Sequence, residues 1–217
     1  NILVDAKDQY GTTALMIASD NGHHDCIKEL LTSKNILVND KNNKGKTALM
    51  IAAYNGHQGC IKALLNSRKG IDINAKDNNG QTALMTAADN GHHDCVGQLL
   101  KAEHIDVNVA TKDDGATALM MAAYKGHQGC IKALLNSPKG IDVNATDNKG
   151  KTALMMAAAK GHHDCIETLL NSQKGIDINT KDNTGATALM FAADNGHHDC
   201  VGQLLKAEHI DVNVATK

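Results

Sequence analysis

The sequence predicts an all-α solenoid in which short helix-turn-helix repeats stack side by side. The tetrapeptide Thr-Ala-Leu-Met occurs six times, and successive copies lie 34 or 35 residues apart. Each copy is accompanied at fixed distances by a preceding glycine, a following Gly-His pair and one cysteine. Aromatic residues make up only 2% of the chain, so the core must consist of aliphatic, methionine and cysteine side chains. A fixed period of this length is typical of arrays in which each unit buries its apolar face against its neighbours.

The first half of each repeat predicts a short helix with a capping residue at each end. Thr13 is a good N-cap residue, because its hydroxyl can accept a hydrogen bond from a backbone N–H of the first turn. The helix is predicted to run from Ala14 to Asn21, and the small side chains of Ala14 and Ala18 allow a neighbouring helix to approach closely. Gly22 then supplies the left-handed conformation in which helices commonly end.

The second half of each repeat predicts another short helix, followed by a tight turn. This helix opens at His23-His24-Asp25, where the aspartate lies near the positive end of the helix dipole. After a polar connector, a sequence such as Asp77-Asn78-Asn79-Gly80 favours a turn into the next repeat. Two helices of about 8 to 10 residues are not stable alone, so the repeats must stack. The apolar stripe of this helix, at helical spacing, consists of Cys26, Ile27, Leu30 and Leu31.

The combined pattern resembles the ankyrin repeat, and the resemblance covers essentially the whole chain. The residues that carry it read Asp-x-x-Gly-x-Thr-Ala-Leu-Met-x-Ala-Ala-x-x-Gly-His-x-x-Cys-Ile-x-x-Leu-Leu. The resemblance implies an all-α ankyrin-repeat solenoid with short β-hairpin-like turns. Two departures concern the loops: methionine stands where the family's Thr-Pro-Leu-His has a histidine, and the unit is longer than the usual ~33 residues.

We expect residues 1–217 to form a single ankyrin-repeat domain. Residues 1–7 match the tail of a preceding repeat, because Asn1-Ile2-Leu3-Val4 repeats Asn35-Ile36-Leu37-Val38. Residues 82–112 and 187–217 differ at only one position, so the last repeat is a copy of an internal one. We therefore expect a segment of a longer array. The six repeats are predicted to span about 8–41, 42–76, 77–111, 112–146, 147–181 and 182–217.

Charge and composition bear on the class of partner and on the compartment. The formal net charge is −2 at pH 7, which gives no reason to expect nucleic acid or an anionic membrane as a partner. No apolar run reaches the roughly 20 residues that span a bilayer, and the first residues do not resemble a signal peptide. One cysteine per repeat favours reduced thiols, so we expect a cytoplasmic, intracellular protein.

Residue types used in catalysis and metal binding recur in the repeats, but their pattern favours a structural role. His23-His24-Asp25-Cys26 does not form a nucleophile-base pair, because adjacent helix residues splay apart and the cysteine lies on the core stripe. A zinc site needs about four converging ligands, whereas equivalent residues of stacked helices lie roughly 8–10 Å apart. Asn144-Ala145-Thr146 is a formal glycosylation acceptor that we attribute to chance. We therefore predict no enzyme, no metal site and no cofactor.

The resemblance also implies where a partner binds, because ankyrin proteins usually use the turn tips and the ends of the first helices, on the concave face. All three tyrosines of the chain fall at such positions. Core packing does not explain this placement, and tyrosine is enriched among the residues that dominate interface energies. The predicted partner-binding residues are Tyr10, Asp20, Tyr54, Asn55, Asn79, Asp89, Asp114, Tyr124, Lys125, Lys149, Lys160 and Asp194.

The sequence thus predicts a non-catalytic scaffold that binds another protein through its concave face and turn tips. The alternative is a structural spacer or a rod that assembles head to tail, since the repeats at the two ends lack the polar outer face of terminal capping repeats. Such an end-to-end contact would not close on itself. Sedimentation at increasing concentration separates the two, because a strictly monomeric chain excludes self-assembly.

Overall fold

A computed structural model describes residues 4–212, which form twelve α-helices and contain no β-strand. The chain divides into two compact units, Asn1–Asp106 and Val107–Lys217. Two sequence predictions extend beyond the described residues. These are the predicted preceding tail, at residues 1–3, and the sixth repeat, at residues 213–217. The helices of unit 1 are α1 Ala14–Asp20, α2 His24–Thr32, α3 Ala48–Tyr54, α4 Gln58–Asn66, α5 Ala83–Asp89 and α6 His93–Leu99. Those of unit 2 are α7 Ala118–Lys125, α8 Gln128–Leu135, α9 Ala153–Lys160, α10 His163–Leu170, α11 Ala188–Asp194 and α12 His198–Leu205.

The first helix of each repeat begins as the sequence predicts, at the threonine of Thr-Ala-Leu-Met. The Thr47 hydroxyl accepts a hydrogen bond from the Met50 backbone N–H at 3.4 Å, and the same cap recurs in every repeat. The methionine adds a second bond in two repeats, where the Met85 and Met120 sulfurs accept from the N–H of the capping threonine. A thioether thus completes the capping box at the position where the family usually has histidine.

The core consists of two apolar layers that the repeats share. In unit 1, α3 packs against α1 and α5, and in unit 2, α9 packs against α7 and α11. Alanines such as Ala52 and Ala157 are fully buried at these contacts, because only a small side chain lets the short helices approach closely. Ile61 and Leu64 of α4 are also fully buried, and burying such a side chain stabilises the fold by about 1.5–3 kcal/mol.

A carboxylate or an amide closes most of the turns that precede the first helices. The Asp77 carboxylate accepts hydrogen bonds from the N–H groups of Asn79 and Gln81, each at 2.9 Å, which is an Asx turn. Repeat 4 has Lys112 at this position. There the Thr111 hydroxyl donates to the Asp114 carboxylate and accepts from the Ala116 N–H, so a different pair of side chains closes the same turn.

Asparagine side chains join consecutive repeats at two levels. At the turns, Asn78 donates through Nδ2 to the Asn43 carbonyl oxygen at 3.1 Å, and Asn183 makes the same bond to Asn148. In the connectors, Asn144 donates to the Gly175 carbonyl oxygen at 2.8 Å and accepts from the Asp177 N–H at 2.9 Å. The amide of the formal glycosylation acceptor is therefore already used on both sides by the next repeat.

A histidine from each of several repeats binds the end of the preceding first helix. His57 Nε2 donates to the Asp20 carbonyl oxygen at 3.0 Å, and His92 and His162 make the same bond to Tyr54 and Tyr124. The histidine ring lies against the glycine that ends the same helix. A Cβ atom built on Gly56 would lie 2.7 Å from His92 Nδ1. Because the Gly-His pair recurs at a nearly constant spacing, the glycine of one repeat contacts the histidine ring of the next repeat.

We predict that Gly56→Ala lowers the free energy of unfolding by about 1–3 kcal/mol. Gly56 has a φ of +75°, where a Cβ costs roughly 1–2 kcal/mol, and the new Cβ would also collide with the His92 ring. Gly97→Ala is the control, since Gly97 lies within α6 with no other atom in reach of a Cβ. It should raise stability by about 0.5–1 kcal/mol. Equilibrium urea unfolding measures both changes, and equal midpoints for the two variants would contradict the glycine-histidine contact.

Candidate protein-binding surface

The turn tips and the C-terminal ends of the first helices form what we call the ridge surface of each unit. The Asx turns fix the tips, and the histidine bonds fix the helix ends. The carbonyl groups that accept from histidine belong to Asp20, Tyr54, Tyr124 and Ala159, which are all helix-end positions of this surface. The contacts that stack the repeats therefore also hold the backbone of the residues that the ridge surface displays.

The structure shows most of the predicted partner-binding residues at the surface of their own unit. Asn55 and Asp89 are half-buried. Asn55 donates through Nδ2 to the Asp20 carboxylate at 2.9 Å and to the Ile51 carbonyl oxygen, so its amide joins two repeats. The exposed members of the predicted set are Tyr10, Asp20, Tyr54, Asn79, Asp114, Tyr124, Lys125, Lys149, Lys160 and Asp194.

The three tyrosines are the largest exposed side chains of the ridge surface. The exposed fractions of Tyr10, Tyr54 and Tyr124 are 64%, 50% and 45%. Two of the rings carry a lysine ammonium group over one face, Lys46 at 4.7 Å from the Tyr54 centroid and Lys160 at 4.6 Å from the Tyr124 centroid. These distances are typical of cation–π contacts, which are worth about 0.5–1 kcal/mol at exposed sites. The rings are therefore exposed to a partner and also held in place.

Sequence reasoning missed a row of apolar side chains beside the tyrosines. The position directly after Thr-Ala-Leu-Met holds an exposed or half-buried apolar side chain in five repeats, and Ile17 is 51% exposed there, whereas Thr86 is polar and buried. Phe191 is half-buried and lies under the Lys151 ammonium group at 4.4 Å. The sequence does contain a signal for exposure here, because the residue at this position varies between repeats while the residues around it stay the same. Its occupants in order are Ile17, Ile51, Thr86, Met121, Met156 and Phe191.

The two units differ in the charges on their ridge surfaces. In unit 1, the Asp20 carboxylate is paired with the Asn55 amide. In unit 2, Lys125, Lys149 and Lys160 are exposed, and the Asp114 carboxylate accepts hydrogen bonds from the Thr111 hydroxyl and the Ala116 N–H of its own turn. The Thr111 hydroxyl, which donates to this carboxylate, holds the pKa of Asp114 below its ordinary value, and Lys149 adds to the effect.

The cysteines lie apart from the ridge surface, and five of the six are buried as the sequence predicts. Burial, aided by the adjacent aspartates, raises the pKa of the Cys95 and Cys165 thiols to about 11. The prediction is wrong for Cys26, which is exposed. Its equivalent Cys60 is buried on α4, which packs between α2 and α6.

Two kinds of feature are absent from residues 4–212. No group of three or more histidine, cysteine, aspartate and glutamate side chains is placed to hold a metal ion. No helix in that range has both the length and the apolar character required to cross a membrane.

The architecture defines a helical-repeat protein, and comparison with known proteins specifies the family. The family model of ankyrin repeats matches residues 1–77, 69–147 and 139–216. The chain therefore belongs to the ankyrin repeat family. Ankyrin repeats are generally protein–protein interaction modules.

Solved structures agree with this assignment. The ankyrin repeat protein EF0377 is 28% identical, with a TM-score of 0.80 over 93% of this chain and 100% of that one. A chain from the structure of a predatory endopeptidase from Bdellovibrio bacteriovorus in complex with an immunity protein is 29% identical, with a TM-score of 0.75 over 93% and 99%. The ankyrin repeat domain of Bcl-3 is 24% identical, has a TM-score of 0.83 over 96% and 91%, and shows the fold alone.

A curated relative, ankyrin repeat domain-containing protein 29 of Danio rerio, is similar over a short segment. The match is 64% identical over 28 residues, which are 13% of this chain and 9% of the relative. The chain thus matches less than a tenth of that protein's length.

We predict that one thiol per chain reacts rapidly with Ellman's reagent in the native protein. At pH 8, a thiol with a pKa near 11 is ionised in only about one molecule in a thousand, and burial also blocks the reagent. Only Cys26 is exposed, so the other five thiols should react after denaturation. Absorbance at the nitrothiobenzoate band counts both classes. A fast phase that persists in Cys26→Ser would contradict the assignment.

Proposed function

We propose that this chain is a non-catalytic scaffold that binds a partner protein through its ridge surface. The turn tips and first-helix ends supply the contacts, and the tyrosines supply the anchors. The proposed contact residues are those predicted from the sequence, namely Tyr10, Asp20, Tyr54, Asn55, Asn79, Asp89, Asp114, Tyr124, Lys125, Lys149, Lys160 and Asp194.

The observation that carries the proposal is that all three tyrosines are exposed, Tyr10 at a turn tip and Tyr54 and Tyr124 at the ends of first helices. A soluble protein gains nothing from exposing half of a tyrosine ring to water, and the buried core of this chain contains no aromatic side chain among residues 4–212. Tyrosine is suited to binding because it brings a large rigid contact area at a low entropic cost. The lysines over Tyr54 and Tyr124 reduce that cost further, since they restrict the rings before a partner arrives.

The family and its structures support a binding role. Ankyrin repeats are generally interaction modules, and one similar chain comes from the structure of an endopeptidase in complex with an immunity protein. The non-catalytic part of the proposal is supported by the cysteines, five of which lie buried in the core. Burial raises the thiol pKa values of Cys95 and Cys165, whereas nearby positive charge lowers the pKa of catalytic cysteines.

We predict that Tyr54→Ala combined with Tyr124→Ala weakens binding at least about tenfold. Loss of one interface anchor typically costs more than about 1 kcal/mol, and 1.4 kcal/mol corresponds to a factor of ten. The partner for the assay is a clone selected from a displayed library on the full chain. Biolayer interferometry then gives the dissociation constants of the variants.

The matched control is Leu37→Ala. Leu37 is an apolar side chain of comparable exposure that lies in a connector, outside the ridge surface. It should change affinity by less than about twofold. A loss of less than threefold for the double tyrosine variant, or an equal loss for the control, would refute the ridge surface as the binding site.

A further inference from the structure

Four lysines gather on the ridge surface of unit 2. Lys125 and Lys160 are the last residues of α7 and α9, and Lys149 and Lys151 flank Gly150 in the turn before α9. Because α9 packs between α7 and α11, these side chains project from neighbouring repeats of one stack. Within residues 4–212, lysine salt bridges join Lys7 to Asp40 and Lys28 to Asp25, and none involves the four lysines of this surface.

Two of the four lysines are held over aromatic rings. The Lys160 ammonium group lies 4.6 Å from the Tyr124 centroid, and the Lys151 ammonium group lies 4.4 Å from the Phe191 centroid. A cation held over a ring keeps its charge available on the side away from the ring. The surface therefore offers positive charge and apolar area side by side, in a fixed arrangement.

The neighbouring carboxylates bear on the kind of anion that fits. Asp113 and Asp114 lie at the tip of repeat 4, and Asp194 ends α11 in repeat 6. The Asp114 carboxylate is engaged by the Thr111 hydroxyl and the Ala116 N–H. These carboxylates would repel a continuous chain of phosphates laid across the three repeats. A peptide, in contrast, can place single carboxylates over the repeat 5 lysines and uncharged residues over the aspartates.

Unit 1 provides an internal comparison. At the helix-end position of Lys125 and Lys160, repeats 1 to 3 have Asn21, Asn55 and Asn90. The Asn55 amide donates to the Asp20 carboxylate at 2.9 Å, so at that point unit 1 has an acidic side chain joined to an amide instead of an unpaired cation. Unit 1 has turn-tip lysines, Lys44 and Lys46, at the positions of Lys149 and Lys151, so what distinguishes unit 2 is the additional pair of helix-end lysines, Lys125 and Lys160.

We propose that the ridge surface of repeats 4 to 6 binds an acidic protein segment that also carries an apolar side chain. Carboxylates of the segment pair with Lys149 and Lys160, and its apolar side chain packs against Tyr124 and Phe191. This inference rests on the proposed protein-binding function and specifies the chemistry of the partner. Electrostatic complementarity of this kind selects partners and speeds their association.

A peptide selection on the full chain tests the chemistry directly. A random twelve-residue library displayed on phage is panned at 150 mM NaCl against three baits: the wild-type chain, the Lys149→Gln/Lys160→Gln variant and the control Lys132→Gln. Lys132 is exposed on the second helix α8, beside Glu167 and Thr168, away from the ridge surface. Enriched peptides are then synthesised with a fluorescent label, and fluorescence anisotropy measures their affinity for each bait.

The expected peptides carry net negative charge and at least one large apolar residue. Their affinity should fall about tenfold for Lys149→Gln/Lys160→Gln, in line with the loss of two exposed charge pairs, and by less than about twofold for Lys132→Gln. Circular dichroism verifies that the variants are folded. Lys149→Gln alone, at a turn tip, should still cost about threefold.

Three results would overturn the inference, and the first of them would leave the proposed protein-binding function standing. The enriched peptides could be neutral or basic and still bind Tyr124→Ala more weakly than the wild-type chain. That result would support the ridge surface as a binding site and refute the acidic partner. Failure to enrich any peptide that responds to the ridge-surface variants would refute both. Competition by a 20-nucleotide single-stranded DNA at equal concentration would assign the lysines to nucleic acid instead of a protein segment.

Discussion

A histidine ring of one repeat donates a hydrogen bond to the last turn of the first helix in the preceding repeat. This bond joins the two repeats and also fixes the backbone of the exposed residues at that helix end. It depends on the glycine that ends a first helix and on the histidine of the next repeat, as with Gly56 and His92. The glycine ends one first helix in the left-handed conformation, and its missing side chain leaves room for the ring that follows one repeat later. The ring then donates to the helix-end carbonyl group. Within each unit, a repeat thus completes the end of the first helix in the repeat before it.

This arrangement explains how very short helices can present a defined binding surface. Helices of seven to nine residues are too short to be stable alone, so their geometry comes from their neighbours. The carbonyl groups bound by histidine belong to the residues that the ridge surface displays, including Tyr54 and Tyr124. The tips and connectors are joined in the same way by asparagine amides. The rings of Tyr54 and Tyr124 are not part of these contacts, because it is their carbonyl groups that accept from histidine.

Much of the fold could be predicted from the sequence, because the six copies repeat their caps and apolar stripes at a constant spacing. The threonine caps, the helix ends at glycine and five buried cysteines are confirmed. Exposure of Cys26 was not predictable from a pattern that treats all repeats alike, since burial of this position depends on a neighbouring α-helix. The cation–π pairs were also missed, because Lys151 and Phe191 are far apart in sequence and belong to different repeats. That the six repeats form a single domain stays a prediction.

The most direct test of this account compares two adjacent histidines by equilibrium urea unfolding of the full chain. His92 bonds to the Tyr54 carbonyl oxygen at 3.0 Å, whereas His93 is exposed on α6 beside Asp94. We expect His92→Ala to lower the free energy of unfolding by about 1–2 kcal/mol, and His93→Ala to change it by less than about 0.5 kcal/mol. Equal effects of the two substitutions would contradict the claim that this histidine joins the repeats.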